Sequence, residues 1–525
     1  MRAFLLVLGL WMMAQPVTGQ ARYSVVISEF MADPSPPVGL PVYEWVEVRN
    51  RSGQIVNLDS WRLVTRSGAS GPFPATTLSP DSCLIIGSFS AFNSLQAYGK
   101  VMSVSGFPSL SNDEGLIWLE DSGGNIIHAV QYSLKTYQSD IKQAGGWSLE
   151  MIDLSKPCIG SANWSASTDV KGGTPGAPNS INAHIQQAPF HLLKAYAPDS
   201  MRIIAIFSDA VDSSSGEAAG AYQFRAGPLV QKASPVAPLF NEVQLELDAP
   251  LRSQTLYQFK AAGVMSCTGT PVDENDIAIG LPSQVAAKDL VINEILVNPA
   301  PNAFDYVELF NRGKKIVDAA SLALSLRNGA GSLESITRLS DSSFPILPAG
   351  FALITKDLAS LKRNYHVADP ENVVEVSGLP SFPDDAGDIV LSDLQGTVID
   401  EVKYSDSWQF PLLVNAEGVS LERLNADAGS SDPENWHSAS SGAGYGTPGY
   451  VNSQAQHTGN TGVFSVRPEV FSPDNDGRDD IATVTYQLHE AMMGTIVIFD
   501  RAGKIARTLV NNRLLGPSGT CTWDG

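Results

Sequence analysis

The sequence is poor in charge, and especially in positive charge. Only 17% of its 525 residues are charged, and 34 Lys and Arg stand against 55 Asp and Glu, which leaves a net charge of −21. A negative surface repels the phosphates of DNA and RNA, whose binding normally requires a basic stripe. The charge balance therefore argues against a nucleic-acid partner.

Compact catalytic signatures are also missing. The sequence contains no HExxH, GxxxxGK[ST], GxSxG or CxxC pattern. Its seven His residues are scattered, and the closest pair, His184 and His191, falls at a predicted unit junction without further ligand residues. We therefore predict a chain that is not an enzyme.

Long apolar runs are absent after the N-terminus. Residues 1–20 combine Arg2 with the apolar stretch 3–14 and the small residues Thr18 and Gly19. About twelve apolar residues are too few to span the roughly 30 Å of a bilayer core, but they fit a secretory signal peptide. We expect residues 1–20 to direct export. The mature chain should carry no transmembrane helix and should be secreted or held at the cell surface.

Cysteine is scarce, with Cys83, Cys158, Cys267 and Cys521 as the only four. Their spacing matches neither a zinc site nor a thioredoxin-like pair. In an oxidising compartment three pairings are open, and we favour Cys83–Cys158 because both residues lie in the first predicted unit. A loop of that length would contribute about 4 kcal/mol in the chain-entropy model. Four buried free thiols are the alternative.

Glycine and proline, by contrast, are plentiful, with 45 and 33 residues. Short apolar runs that alternate with polar residues lie between these turn-formers, a pattern typical of β-sandwiches. The hydrophobic content of 43% is sufficient for several cores. The sequence thus predicts an all-β protein made of tandem sandwich units.

A long internal repeat organises the chain. VISEFMADP at residues 26–34 answers VINEILVNP at residues 291–299, and WVEVRN at 45–50 answers YVELFN at 306–311. Further matches follow in the same order in both copies: GLIWL and GDIVL, WSLE and VSLE, NW in each, and TPG in each. So many agreements in one order indicate a duplicated domain.

These motifs resemble the lamin-tail domain family, an immunoglobulin-like β-sandwich found in nuclear lamins and in secreted bacterial proteins. The resemblance covers residues 22–180 and 289–452; it implies the fold and no particular activity. Between the copies, residues 186–288 resemble the bacterial immunoglobulin-like spacers of surface-layer proteins. That looser resemblance rests on strand spacing and on the pattern FSDAVD at 207–212.

The last segment, residues 462–525, is similar to the immunoglobulin-like domain of flagellar hook-capping proteins and to C-terminal modules of exported proteins in gliding Gram-negative bacteria. The similarity rests on FSPDNDGRDD at 471–480, a strand at 483–488 and TWDG at 522–525. Such modules continue with further strands. We therefore expect a partial module and a chain that is a fragment of a longer protein.

Acidic residues that recur in both copies are candidates for chemistry: Glu29, Glu44 and Glu47 in the first copy, and Glu294, Asp305 and Glu308 in the second. They could form a cluster for acid–base chemistry or for Ca²⁺. A requirement of the fold, however, acts on both copies alike. We interpret these residues as structural, bonding backbone amides at the strand ends.

The expected function is that of an exported, non-catalytic surface or extracellular protein whose sandwiches serve as spacers, adhesion or binding modules for a protein or glycan partner. Trp61, Trp118 and Trp408 could stack on sugars, although we interpret them as core residues. The alternative is the accessory N-terminal portion of a secreted nuclease- or phosphoesterase-like hydrolase, with its catalytic domain beyond residue 525. Chromatin binding, as in nuclear lamins, is opposed by export and by charge.

Calcium is the one cofactor that the sequence suggests, at Asp474, Asp476, Asp479 and Asp480. Acidic oxygens around the Gly477 turn place hard donors on one loop, as Ca²⁺ prefers. No Glu closes a twelve-residue loop as in an EF-hand, and an acidic turn that caps the next strand is the alternative. Isothermal titration of a completed module tests the hypothesis, and the absence of heat at millimolar Ca²⁺ would contradict it.

Overall fold

The computed structural model describes residues 21–186, 188–411, 413, 415–455, 463–473, 479–488, 491–500 and 505–525. Strands dominate its regular structure, and they fall into four successive groups that share no sheet. The all-β expectation is therefore confirmed. In the described residues the longest helix is Leu358–Asn364, far shorter than a bilayer requires.

The first unit is a sandwich of two main sheets. Its strands, β1 to β12, are Val25–Met31, Trp45–Asn50, Val56–Asn57, Arg62–Thr65, Gly68–Ala69, Thr77–Leu78, Cys83–Gly87, Val101–Ser103, Glu114–Glu120, Ile126–Ser133, Leu149–Met151 and Trp164–Ala166. A six-stranded sheet (β12-β11-β1-β2-β7-β8) faces a four-stranded sheet (β10-β9-β4-β5), and β3 pairs with β6. The connections contain helix α1 and three 3₁₀-helices: Phe92–Leu95, then Leu134–Tyr137, Lys142–Ala144 and Gly160–Asn163.

The second unit is a smaller sandwich. Its strands, β13 to β19, are Leu192–Asp199, Arg202–Phe207, Tyr222–Phe224, Val230–Pro235, Glu242–Leu247, Tyr257–Ala261 and Ile277–Ile279. A four-stranded sheet (β13-β14-β17-β16) faces a three-stranded sheet (β15-β18-β19). Helix α2 and a 3₁₀-helix lie at Ser213–Gly216 and Ala219–Ala221. Every second residue of β14 and β17 is buried, as the alternating sequence predicts.

The third unit repeats the first strand for strand. Its strands, β20 to β31, are Leu290–Leu296, Tyr306–Asn311, Val317–Asp318, Leu322–Arg327, Leu333–Arg338, Pro345–Ile346, Phe351–Thr355, Val373–Glu375, Ala386–Asp393, Val398–Ser405, Leu421–Arg423 and Trp436–Ser438. The sheets run β27-β26-β21-β20-β30-β31, β24-β23-β28-β29 and β22-β25. Helix α3 and the 3₁₀-helices are Leu358–Asn364, then Ala319–Ser321, Pro370–Asn372, Asp406–Trp408, Pro433–Asn435 and Ser441–Ala443.

The fourth unit contains strands β32 to β36, at Val463–Arg467, Ala482–Gln487, Met492–Phe499, Ile505–Leu515 and Ser518–Trp523. They form a three-stranded sheet (β32-β33-β36) and a two-stranded sheet (β34-β35). A hydrogen bond of 3.0 Å from the Ser441 hydroxyl to the Leu514 carbonyl connects this unit with the third.

The central strand of each six-stranded sheet is buried on both faces. All seven residues of β1 and of β20 are buried. One face packs into the sandwich core, and the other is covered partly by a short helix. Leu95 of α1 packs with Trp45 in the first unit, and Leu361 of α3 packs with Tyr306 in the third. The strand is therefore an interior element in which any polar side chain must find a partner.

Each repeat places a different polar group opposite the first strand of the sheet. In the first unit the backbone amide of Ile27 donates to Nδ1 of His128, which is 1% exposed and whose Nε2 contacts the Pro157 carbonyl. Burial lowers the pKa of His128 to about 4, because the cavity disfavours the charged ring. The imidazole is thus a neutral structural acceptor.

In the third unit the equivalent backbone amide donates to a carboxylate that belongs to an ion pair. There the amide of Ile292 donates to Asp400, and Asp400 lies 3.3 Å from the buried guanidinium of Arg423. Asp400 occupies the position of His128 on the matching strand, and Arg423 occupies the position of Met151. The carboxylate and the guanidinium have therefore changed together between the copies.

The disulfide differs from the sequence expectation. Cys158 pairs with Cys267 of the second unit, with Cα atoms 6.4 Å apart, while Cys83 and Cys521 are free. Cys83 lies on β7, paired with Arg49 of β2, whereas Cys158 lies in a loop that faces the second unit. The prediction of a Cys83–Cys158 bridge took into account only the length of the loop within one unit. A disulfide also requires Cα atoms that lie close together, and here the contact between the first two units brings Cys158 near Cys267.

The replacement of His128 and Met151 by Asp400 and Arg423 between the two units predicts a non-additive effect of the corresponding substitutions on stability. We expect His128→Asp to lower the free energy of unfolding by about 3 kcal/mol or more, because it buries a carboxylate without its cation. Adding Met151→Arg should recover part of that loss. Urea unfolding of the two single variants and the double variant measures the coupling, and additive losses would contradict the interpretation.

Candidate functional site

Three buried glutamates lie side by side on the outer face of the first six-stranded sheet. Glu29 on β1 is directly opposite Glu150 on β11 and Glu47 on β2, and all three are fully buried. We call Glu29, Glu47 and Glu150 the first carboxylate triad. Such a group requires hydrogen-bond donors, since buried carboxylates without partners are costly.

The closing segment of the unit, residues 174–181, supplies most of these donors. The amide of Thr174 donates to Glu29 at 2.7 Å, and its hydroxyl donates to Glu29 and to Glu150. The amide of Gly176 donates to Glu47 at 2.7 Å. The triad therefore fastens the end of the unit onto the sheet with which the unit begins.

The repeated Thr-Pro-Gly-x-x-Asn motif is explained by these contacts. Thr174 binds two carboxylates, and Gly176 has a φ of +79° and no room for a Cβ, which would lie 2.1 Å from the Tyr98 carbonyl. Asn179 donates from its side-chain amide to the carbonyls of Ser28 and Met151. The Thr, Gly and Asn of the motif are thus each required by this contact between the closing segment and the sheet.

The second carboxylate triad consists of Glu294, Glu308 and Glu422 in the third unit. Thr447 donates to Glu294 and Glu422, and Gly449 donates to Glu308 at 2.6 Å. Additional donors to the triad are Ser420, Tyr306, Asn293, Ser453 and Gln454. The arrangement of the first unit is thus reproduced, with Thr447 and Gly449 in the places of Thr174 and Gly176.

Burial shifts the acidity of both triads. Burial raises the pKa of Glu29 to about 8. The hydrogen bonds from Ser148 and Thr174 lower this pKa, and the negative charge of Glu150 raises it further. Burial likewise raises the pKa of Glu422 to about 8, aided by the charge of Glu294, and the pKa of Glu308 well above its ordinary value. Each triad therefore keeps protons near neutral pH.

These hydrogen bonds agree with the structural interpretation in that the repeated acidic residues accept from backbone amides. The expected place was wrong for the glutamates of the triads, which lie within their strands and not at the strand ends. Glu44 accepts from the Leu110 amide at 3.1 Å, and its counterpart Asp305 accepts from the Phe382 amide at 3.0 Å. Sequence reasoning missed the third member of each triad, Glu150 and Glu422. The repeated Ser-Leu-Glu of β11 and β30 was the available signal, because a charged residue recurs there beside a buried Leu.

A cleft of about 670 Å³ lies between the first and second units. The strand β10, the 3₁₀-helix at 134–137 and the loop at 157–162 form one wall, and residues 208–210 with Pro238, Leu239 and Asn241 form the other. Both apolar and hydrogen-bonding groups line it. Because it is concave and has this mixed lining, the cleft is the candidate binding site of the chain. None of its lining residues belongs to the first carboxylate triad.

The disulfide holds the two walls of this cleft together. Cys158 itself lines the cleft, and it is bonded to Cys267 of the second unit. The Ala210 amide donates to the Cys158 carbonyl at 3.4 Å, and the Cys267 amide donates to the Ala210 carbonyl at 2.8 Å. The FSDAVD segment is therefore anchored to both half-cystines.

The other predicted site residues are dispersed. Trp61 is buried in the first core; Trp118 is half-buried and donates to Glu120, and Trp408 packs at 6.1 Å from the ring of Trp436. The interpretation as core residues is thus supported for Trp61 and Trp408, whereas Trp118 does not belong to the first core. They do not form a shared aromatic surface.

The predicted calcium loop lies partly outside the described residues, which exclude Asp474 and Asp476. Asp479 has a φ of +50°, and its carbonyl accepts from the Ser472 amide at 2.9 Å. In the described part of the chain no cluster of three His, Cys, Asp or Glu residues could hold a metal ion. The calcium site at Asp474, Asp476, Asp479 and Asp480 stays a prediction.

Comparison with known proteins agrees with the fold. Residues 18–133 match the family model of the Lamin Tail Domain, and no curated protein matches the chain in sequence. The chain is thus an all-β protein of tandem immunoglobulin-like β-sandwiches, with a lamin-tail match in the first unit.

Similar solved structures include the N-terminal part of the bacterial S-layer protein SbsC, at 8% identity and a TM-score of 0.18 over 42% of this chain and 44% of that chain. Another is the Bacteroides ovatus surface protein SGBP-B in complex with a mixed-linkage heptasaccharide, at 8% identity and a TM-score of 0.18 over 90% and 85%. This chain thus covers less than half of the first of these structures. Similarity at this level does not indicate a shared function.

The triads predict that stability falls as the pH rises from weakly acidic values to about 8. The folded pKa of Glu29 lies above its ordinary 4.5, so the fold retains a proton that the unfolded chain releases, and stability declines as the pH rises from 4.5 to about 8. The slope is about 1.4 kcal/mol per pH unit for each retained proton. Differential scanning calorimetry between pH 5 and 9 measures it.

Glu29→Gln separates this effect from general charge. The amide can still accept from Ser148 and Thr174 and can donate to the Thr174 hydroxyl, so we expect a fold with a shallower pH slope in the first unit. Glu217→Gln, at an exposed position, is the control that removes the same charge. An unchanged slope in the Glu29 variant would show that the carboxyl does not carry the effect.

Proposed function

We propose that this chain is part of an exported, non-catalytic surface or extracellular protein, in which β-sandwich units act as spacers and as binding modules for a protein or glycan partner. The single observation that carries the proposal is the Cys158–Cys267 bridge between the first two units. Disulfides persist in oxidising compartments and are rare in the cytosol. The bridge agrees with the export signal predicted for residues 1–20.

The chemistry of the buried polar groups supports a non-catalytic role. The triad carboxylates accept hydrogen bonds from the closing segments, and His128 is held between two backbone groups. A general acid or base must reach a substrate proton. These groups reach only the chain itself, so their raised or lowered pKa values reflect folding rather than catalysis.

Binding is assigned to the loops and to the junctions between units. The loops of a β-sandwich can change in sequence without destabilising its core, and they commonly form binding surfaces. The cleft between the first two units is a concave surface of about 670 Å³ at such a junction. A partner that fills it would contact both units at once.

The proposal predicts the redox state and the location of the protein. In cells that produce the full chain, acid quenching followed by alkylation in denaturant should modify two thiols per chain, Cys83 and Cys521, and peptide mapping should find Cys158 joined to Cys267. Proteolysis of intact cells, or recovery from the medium, should find the same molecules outside.

Two variants serve as matched controls for this experiment. In Cys158→Ser the number of alkylated thiols should rise from two to three, because Cys267 loses its partner and is modified together with Cys83 and Cys521. Cys83→Ser should leave the bridge intact. Four reactive thiols in the wild type, together with protection from external protease, would contradict the proposed location.

A further inference from the structure

Asp209 is a buried carboxylate that lines the cleft between the first two units. It is 9% exposed, and within the part of the chain that the structure describes its side chain accepts no hydrogen bond. Asp212, three residues further along the same FSDAVD segment, accepts from the Ser215 amide at 2.9 Å and caps α2. Asp212 therefore has a structural role that Asp209 lacks.

The position of Asp209 is fixed by its neighbours. Ala210 bonds to both half-cystines through its backbone, and the Ser208 hydroxyl accepts from the His191 amide at 3.1 Å. Burial raises the pKa of Asp209, with only the charge of His191 opposing the shift. The side chain is thus held at the wall of the cleft without a donor from the fold, and a ligand can supply one.

The charge around Asp209 selects a cation. Glu114 also lines the cleft, and Lys135 is the only Lys or Arg among its lining residues. Lys135 is already in contact with Glu375 and lies 3.9 Å from Asp357 of the third unit. His191 is likewise 3.0 Å from Asp273. Arg22, which precedes the lining residue Tyr23, stacks its guanidinium on Phe240 at 3.5 Å from the ring centroid and is not itself a described lining residue. The described lining therefore carries two carboxylates and one cation that is already paired, in a chain whose net charge is −21.

The walls of the cleft suit the stem of a long basic side chain. The half-buried Ile159, Pro238 and Leu239 contribute apolar surface to the cleft, and lysine and arginine place their methylenes on such surface while the charged end reaches a partner. A neutral sugar would need an open aromatic face. Trp164 and Tyr132, which line the cleft, are each only 2% exposed, and the half-buried Tyr23 packs against the ring of His128 with the centroids 6.0 Å apart.

We propose that this cleft binds a lysine or arginine side chain of a polypeptide partner, with its ammonium or guanidinium group donating to Asp209. This inference names the class of partner for the binding role proposed above and rests on that proposal. The occupant completes the hydrogen bonding of a carboxylate that the fold leaves without a donor, and the bridged walls keep the cleft open before it arrives.

Saturation-transfer NMR with the full chain at physiological salt tests the inference. The probes are N-acetyl-lysine methylamide and N-acetyl-arginine methylamide, with N-acetyl-norleucine methylamide as the uncharged probe. Wild type should bind the two cationic probes, and Asp209→Asn should weaken their binding at least about tenfold, because a charged hydrogen bond is lost. Asp341→Asn, at a fully exposed position, removes the same charge and should bind them as wild type does.

A second variant guards against misfolding of the first. Ser161→Trp changes an exposed residue of the cleft and should block the probes while Asp209 is retained. Calorimetry confirms that each variant is folded. Absence of cationic-probe binding by wild type, or equal binding by Asp209→Asn, would overturn the inference.

Binding of a neutral trisaccharide such as cellotriose that depends on Asp209, without binding of the cationic probes, would overturn it in favour of a carbohydrate. The result is separable from the proposed function. A reduced, intracellular protein would contradict the proposed function even if the cleft bound the probes, whereas an exported protein with an unresponsive cleft would contradict only the inference.

Discussion

The bonds between the carboxylate triads and the closing segments are the interaction on which both repeated units depend. In an isolated sheet, three adjacent glutamates on neighbouring strands would repel one another and would seek water. Here a Thr, a Gly amide and further donors satisfy them, so the outer face of each six-stranded sheet can be buried. The sandwich has one apolar core and, on the opposite face of the same sheet, a polar joint that completes the unit.

The duplication was readable from the sequence because it is carried by local motifs. VISEFMADP and VINEILVNP predict the same strand, and the two short helices and the alternating strands of the second unit follow from local patterns. The partners of those motifs were not readable. Thr174 reaches Glu29 across 145 residues, and nothing near either residue indicates the contact.

The sequence did not predict the Cys158–Cys267 disulfide or the cleft, for a related physical reason. Both lie where two units meet, and the position of Cys158 against Cys267 depends on how the first sandwich rests on the second. His128 illustrates the same limit within a unit. Its burial and its bond from the Ile27 amide depend on the backbone of β1, which lies about 100 residues earlier in the chain. Sequence patterns specify strands, whereas these sites arise from the packing of strands and units.

The contact between the first strand and the closing segment has a mechanical consequence. In each repeated unit the chain enters through β1 or β20 and leaves through the segment that the triad binds. In the third unit, tension along the string of sandwiches would therefore pull on the bonds between the triad and the closing segment. In the first unit the Cys158–Cys267 bridge lies ahead of the closing segment and would carry such tension directly into the second unit.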